Sequence, residues 1–302
     1  NIQRLAEFGK PFFSLYAIML RLVVQSKGRL YEQSMNMLKE IGIDIDDSKR
    51  KFISCASNFP IEVLYMRDDD IPQIVSAGTA SLGIVGLNEV EERGAEGLKV
   101  IKKLGFGGCR ISLAVPKSAD YTGPQYFNGK RIATSYPRIL KNYLDRNGID
   151  AKIEVITGSV EVAPAAGIAD AIFDIVSSGG TLIANGLKEV EKVFQSEAVL
   201  IGNDTIQGED QEQLDEMLFR IDSAIYSKDK KYLLMNIPAN ALEKAAKILP
   251  SLRSPTIMPL SADGWYSMHS VVKTSEIWEK VRKLKQIGAE GILILNIDKI
   301  VL

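Results

Sequence analysis

Asp170–Leu187 reads DAIFDIVSSGGTLIANGL: an apolar strand-like run, a turn of serine, glycine and threonine, and a helix-like segment. Strand, tight turn and helix in that order form the repeating unit of an α/β sheet. Upstream, short apolar runs likewise alternate with longer segments. LRLVV precedes SMNMLKEIG, FISCA and IEVLYM precede DDDIPQIVSAG, and LGIVG precedes the glycine-rich LGFGGCRISLAVP. These short apolar runs predict an α/β fold with largely buried strands. RDDDIPQIVSAG reads as a helix start, with Asp70 as cap, Pro72 in the first turn and Gly78 as the stop.

A second α/β unit follows the turn-rich PKSADYTGPQYFNG. It comprises KRIATSYP as strand and loop, RILKNYLDRNG as a helix closed by Gly148, AKIEVITG as a strand, and then the quoted stretch. SEAVLIGND reads as a strand returning to the first unit. Two lobes joined by chain crossings are therefore expected, with residues 19–115 and 194–227 in the first and 116–193 in the second. From residue 228 the order changes to KKYLLMNIP, ANALEKAAKILPSL, SPTIMPLS, GWYSMHSVV, SEIWEKVRKLKQIG and AEGILILNID. This β-α-β-β-α-β order predicts a separate ferredoxin-like domain over 228–302.

With 302 residues, of which 46% are hydrophobic and 25% charged, the chain can bury a sizeable core. A net charge of −1 gives no bulk electrostatic reason to propose nucleic acid or an anionic membrane as partner. No apolar run approaches the roughly 20 residues a membrane span needs. Cys55 and Cys109 stand far apart without metal-ligand spacing and read as reduced, structural thiols, which suits a cytoplasmic protein. Residues 1–18 precede a methionine and read as an extension of uncertain origin.

Asp170 and Asp174 are four apart, so on a strand they share a face. The turn Ser177, Ser178, Gly179, Gly180 and Thr181 offers backbone N–H groups, hydroxyls and a helix start. Carboxylates suit a sugar diol or a bound magnesium ion, and the turn suits a phosphate. Together they describe a site for a phosphorylated ribose. The alternative is that Asp174 caps a helix and SSGG is a plain connection. The GxxxxGK[ST] pattern of a P-loop is absent. Lys27, Gly28 and Arg29 lie where a strand turns into a helix, a place suited to phosphate or pyrophosphate; an exposed basic turn would look the same. His269, the single histidine, has no nucleophile signature beside it. Trp265 and Trp278 read as packing residues, and KVRKLK as a solvated helix face.

EVAPAAGIADAIFDIVSSGGTLIANGLKEVE, with FGGCRISLAVP, NGKRIATSYP, RDDDIP and SPTIMPL, closely resembles ATP phosphoribosyltransferase, which opens histidine biosynthesis. The similarity runs from about Met19 to Leu302 and so looks like the long form of that family. The resemblance implies a two-lobed catalytic portion like the periplasmic binding proteins and a C-terminal ACT-like domain that binds histidine as feedback inhibitor. It also implies dimers that assemble into hexamers. The implied reaction joins N1 of ATP to C1 of phosphoribosyl pyrophosphate, with Mg2+ and release of pyrophosphate.

By the same resemblance, Ser177–Thr181 would cradle the 5′-phosphate. Asp170 and Asp174 would face the ribose hydroxyls, directly or through magnesium, and Glu161 would stand on the cleft wall. Lys27, Gly28, Arg29 and Arg67 would face ATP or pyrophosphate phosphates, and Tyr136 the inter-lobe mouth. The effector site is expected around Asn236, Leu252, Thr256, Val271 and Gly291. Ser81 replaces an aspartate common in the family, and VVQSKGRL differs in local order from the family's QKSGRL. A protein that kept the two lobes and the sensor domain but lost catalysis is the other reading; the intact DAIFDIVSSGGTL speaks against it.

Overall fold

In the computed structural model, which describes residues 19–46, 52–249 and 252–302, the apolar runs become strands of three sheets. The expected extension, residues 1–18, lies outside the described residues. The chain divides into two compact units, the described residues up to Asp215 and those from Glu216 onward.

The first unit opens with β1 (Leu20–Gln25), α1 (Arg29–Glu40), β2 (Ile53–Cys55), β3 (Ile61–Met66), α2 (Ile71–Ser76), β4 (Leu82–Gly86), α3 (Leu87–Arg93) and β5 (Lys99–Lys103). It continues through β6 (Cys109–Pro116), β7 (Arg131–Thr134), α4 (Pro137–Asn147), β8 (Lys152–Val155), β9 (Ala171–Val176), α5 (Gly180–Ala184) and β10 (Leu187–Ser196), and returns in β11 (Ala198–Gly202). One sheet has the order β2-β3-β1-β4-β11-β5, with β1 parallel to β3 and β4. Leu22, Val23 and Val24 are buried in succession, as befits a central strand covered on both faces. The other sheet has the order β10-β6-β9-β7-β8, with β7 parallel to β8 and β9.

The position of β6 corrects the expected lobe boundary. The strand lies between β10 and β9, where Ile111, Leu113 and Val115 pack with Phe127 and Phe173 in the second lobe's core. The chain therefore crosses between lobes at residues 104–108, before β6, and not after residue 115. It crosses back at Glu197, after β10, and not at 193. Leu104 N–H donates to Ala198 C=O at 3.0 Å and Ala198 N–H to Phe106 C=O at 2.9 Å, so the two crossings are hydrogen-bonded to each other.

A 19-residue helix, α6 (Glu209–Ser227), contains the division between the units. The second unit then folds as β12 (Lys230–Pro238), α7 (Leu242–Ile248), β13 (Thr256–Pro259), β14 (Trp265–Lys273), α8 (Ile277–Gln286) and β15 (Glu290–Asn296). Its sheet order, β13-β14-β12-β15, is that of a ferredoxin-like fold, with every pair antiparallel. Alternate residues Leu233, Met235 and Ile237 of β12 point into the core with Met268 and Val272. No helix among the described residues is long and apolar enough to cross a membrane.

Candidate functional site

The carboxyl ends of β1, β4 and β9 converge with the lobe-crossing segment on a cleft of about 280 Å3 lined by Gln25, Arg29, Asp68, Glu89, Gly107 and Ser177, among others. Ligands of α/β folds gather at such strand ends because loops and helix starts open there. Cys109 also lines this cleft, where burial pushes its thiol pKa up. Cys55 is exposed, and both cysteines are free.

The SKGR turn delivers one basic side chain to the cleft. Gly28 takes a φ of 92°, a conformation costly for any residue with a Cβ, and this lets β1 turn directly into α1. Arg29, the first helical residue, reaches across to the second lobe and donates from a guanidinium N–H to Ser177 Oγ at 3.2 Å. Lys27 is exposed beside it. The turn at residues 177–181 is likewise built on a left-handed glycine, Gly179 at φ 83°, ahead of the short α5. Ser178, Gly180 and Thr181 are exposed.

On β9, Phe173 faces the core while Asp174 projects from the other face, opposite Ser112 of β6. Burial pushes its carboxyl pKa up to about 6, with the neighbouring Glu161 adding to the rise and the Ile175 N–H opposing it. That N–H donates to Asp174 Oδ1 at 2.8 Å. Glu161 stands in a short turn entered through Ser159, the one non-glycine residue with positive φ among the described residues.

Asp170 does not join this group. Its carboxylate accepts the Arg131 backbone N–H at 2.8 Å and the guanidinium at 3.4 Å, contacts that hold its pKa below the usual range. Alternation does put both aspartates on one face, but four residues of extended chain separate them by roughly 13 Å. Asp170 therefore sits at the amino ends of β7 and β9, where Arg131 claims it, away from the turn at residues 177–181. The two acids that the sequence pairs thus have separate surroundings, Asp170 with Arg131 and Asp174 near Glu161.

Arg67 is exposed and its guanidinium pairs with Asp69 at 3.1 Å, while Arg93 approaches the same carboxylate at 3.6 Å. Asp70 makes no side-chain capping bond to α2; instead Asp68 Oδ1 accepts the Asp69 N–H at 3.1 Å. Tyr136 lies between the lobes, but its hydroxyl is buried and donates to Glu89 at 3.0 Å. Asn88 donates to the same Glu89 oxygen at 2.9 Å and accepts from Ser196 Oγ at 2.7 Å. Burial raises the Glu89 pKa, and burial together with Glu89 raises that of Tyr136. Next along α3, Glu92 accepts the N–H groups of Arg138 and Ile139 at 2.9 and 3.0 Å and so caps α4 from the opposite lobe.

Glu89 and Glu92 were not among the sequence candidates. Their i, i+3 spacing directly after the buried strand LGIVG was the available signal, because it places two acids on one helix face. Arg110, Ser112 and Glu189 were also missed. Arg110 donates to Glu189 through two nitrogens at 2.5 and 2.6 Å and to the Ser177 carbonyl at 3.1 Å. Ser112 Oγ adds a third bond to Glu189 at 2.7 Å, and the Arg110 contacts hold the Glu189 pKa low. Charged residues inside otherwise apolar strand sequences were the clue here.

In the second unit, Asn236 on β12 lies beside Gly291 on β15, where a Cβ on the glycine would come within 3.2 Å of Asn236 Nδ2. Thr256 and Val271 share the sheet face opposite the core with Asn236, but Val271 pairs with Tyr232, four positions along β12. Leu252 is exposed ahead of β13. His269 is fixed by hydrogen bonds with Tyr232 Oη at 2.7 Å and Ser267 Oγ at 3.0 Å. Trp278 is 74% exposed on α8, which corrects its reading as a packing residue.

Residues 67–223 match the family described as HisG: ATP phosphoribosyltransferase, and residues 227–299 match HisG, C-terminal domain. The chain is 57% identical to the ATP phosphoribosyltransferase of Phocaeicola vulgatus, over 94% of this chain and all of that one. It is 50% identical to the ATP phosphoribosyltransferase of Cytophaga hutchinsonii, over 93% of this chain and 98% of that one. Among solved structures it is similar to the ATP phosphoribosyl transferase (HisG:HisZ) complex from Thermotoga maritima, with a TM-score of 0.58, 28% identity, and coverage of 68% of this chain and 96% of that one. The matched segments span both lobes and the small domain, and on that ground the chain belongs to the ATP phosphoribosyltransferase family.

Proposed function

We propose that the protein transfers the phosphoribosyl group of phosphoribosyl pyrophosphate to N1 of ATP, giving N1-(5-phosphoribosyl)-ATP and pyrophosphate at the start of histidine biosynthesis. The observation that carries this reading is the meeting, at one cleft, of Arg29 from the first lobe with Ser177, which opens the turn at 177–181 just beyond the β9 strand that bears Asp174. Adenine N1 is already a lone-pair nucleophile, so the bond to C1 needs little base catalysis. Rate then comes from alignment of the two substrates and from charge stabilisation at the reacting centre.

Ser177–Thr181 would hold the 5′-phosphate through N–H groups and hydroxyls, and Asp174 would face the ribose hydroxyls and the positive charge developing at C1. Arg29, with Lys27 beside it, would meet the phosphates of ATP or the departing pyrophosphate. Magnesium fits this donor set: Asp174 supplies one carboxylate, Glu161 stands near it, and Mg2+ takes its remaining ligands readily from water and substrate phosphates. Among the described residues no group of three or more His, Cys, Asp or Glu side chains forms a cage for an ion. Magnesium would contribute neutralisation of pyrophosphate charge. Histidine would act as inhibitor through the ferredoxin-like unit, with Asn236 and Gly291 as the adjacent pair of its expected site, and the working form would be a homo-oligomer in the cytoplasm.

The test mixes protein, ATP, phosphoribosyl pyrophosphate and magnesium, removes pyrophosphate enzymatically, and follows the ultraviolet absorbance of N1-substituted adenine. Product should accumulate, Asp174→Ala should slow turnover at least about a hundredfold, as for loss of an electrostatic contact at a reacting centre, and added histidine should inhibit. Absence of product at saturating substrates would overturn the enzymatic reading in favour of a binding protein.

A further inference from the structure

Arg110, Glu189 and Ser112 lie on neighbouring strands of the second lobe, behind the turn at 177–181. The Arg110 and Glu189 side chains are only 24% and 19% exposed. An ion pair withdrawn this far from water is a weak source of stability, because desolvation offsets most of the attraction. Its geometry, however, is directional. Two guanidinium nitrogens are consumed by Glu189, Ser112 fixes the same carboxylate, and the third guanidinium nitrogen is aimed at the carbonyl oxygen of Ser177.

That carbonyl belongs to the peptide joining Ser177 to Ser178. In a trans peptide the C=O of one residue and the N–H of the next point in opposite directions in one plane. Drawing the Ser177 oxygen towards Arg110 therefore turns the Ser178 N–H the other way, away from the ion pair. Ser177 is held a second time by Arg29, which bonds its hydroxyl from the first lobe. The main chain of the turn is thus referenced to the second lobe's sheet and its side chain to the first lobe's helix α1.

We propose that Arg110, locked by Glu189 and Ser112, is a positioning residue that sets the orientation of the 177–178 peptide and thereby preorganises the phosphate turn. The inference rests on the reading of residues 177–181 as the phosphoribosyl-binding turn. A turn whose donors already point at the ligand loses less freedom on binding, so the effect falls on affinity for phosphoribosyl pyrophosphate and not on affinity for ATP.

Steady-state kinetics on the full chain separate the possibilities. Arg110→Met removes all three hydrogen bonds at similar length and should raise the KM for phosphoribosyl pyrophosphate about tenfold, equivalent to about 1.4 kcal/mol, with the KM for ATP within about twofold. Glu189→Gln keeps shape and weakens only the lock, and should give a rise of about threefold; Arg110→Lys should recover part of the loss. Unchanged KM for phosphoribosyl pyrophosphate in both Arg110→Met and Glu189→Gln, or equal rises in both KM values, would overturn the proposal. Thr181→Ala and Ser178→Ala are the parallel arm. If they raise that KM while Arg110→Met does not, the brace fails and the turn stands; if they leave it unchanged, the phosphate turn itself is wrong and the brace falls with it.

Discussion

Replacing Asp174 by asparagine should make the substrate-free protein more stable while removing its activity. The carboxyl pKa is pushed from an ordinary 3.8 up to about 6, chiefly by burial and then by the nearby Glu161. Between those two values the folded protein holds a proton that the unfolded chain releases, so stability falls as pH rises through the window and the deficit is complete above about pH 6. At pH 7 the difference corresponds to about 3 kcal/mol, or about 2 kcal/mol once the carboxylate's partial contact with water is discounted. The amide oxygen introduced by Asp174→Asn still accepts the Ile175 N–H, and it carries no charge. For a cooperative unit of this size, about 2 kcal/mol raises Tm by about 4–8 °C. The assay is thermal unfolding by circular dichroism at pH 4 to 7.5 without substrates. The variant should match the natural protein near pH 4 and exceed it progressively towards pH 7. Equal Tm across the range, or a less stable variant at pH 7, would refute the idea that Asp174 is a charge held against its own solvation for the sake of a cationic or hydroxylic ligand.

Three other outcomes follow from contacts between and within the lobes. Tyr136→Phe strips the buried Glu89 of one hydrogen bond and should cost about 1–3 kcal/mol in urea unfolding. Glu92→Ala leaves the first N–H groups of α4 without their carboxylate and should cost about 1 kcal/mol, read in the same experiment. Gly83→Ala should cost about 1–3 kcal/mol by differential scanning calorimetry, because the added methyl would meet Ile71 Cγ2 at 2.8 Å and Val75 Cγ2 at 3.0 Å, pushing α2 off β4.

Much of this was present in local order. Apolar runs bounded by turn residues located most of the strands, and the β-α-β-β-α-β order of residues 228–302 announced a ferredoxin-like sheet because that order leaves few ways to bury one face. The turn at residues 177–181 was legible for the same reason: Gly179 adopts a conformation that few other residues accept, so its place in the chain carries geometric meaning. What the one-dimensional reading misplaced depended on distance across the chain. Asp170 and Asp174 share a face in any strand, but only the neighbouring strand could show that Arg131 occupies the first, 39 residues away in sequence. The lobe boundary at 104–108 depended on which sheet received β6, a choice made by the packing of Ile111 and Leu113 against Phe127 and Phe173.

The sequence by itself determined the α/β repeat, the glycine-built turns, the small C-terminal fold and the family, since each rests on residues adjacent in the chain. The tertiary structure alone decided which partner each charged group finds: Arg29 with Ser177 from opposite lobes, Arg110 with Glu189 across paired strands, and Glu89 with Tyr136 between the lobes. Short-range patterns report propensity and periodicity, whereas a buried carboxylate finds its partner only when the sheets have closed and water has been removed from between them.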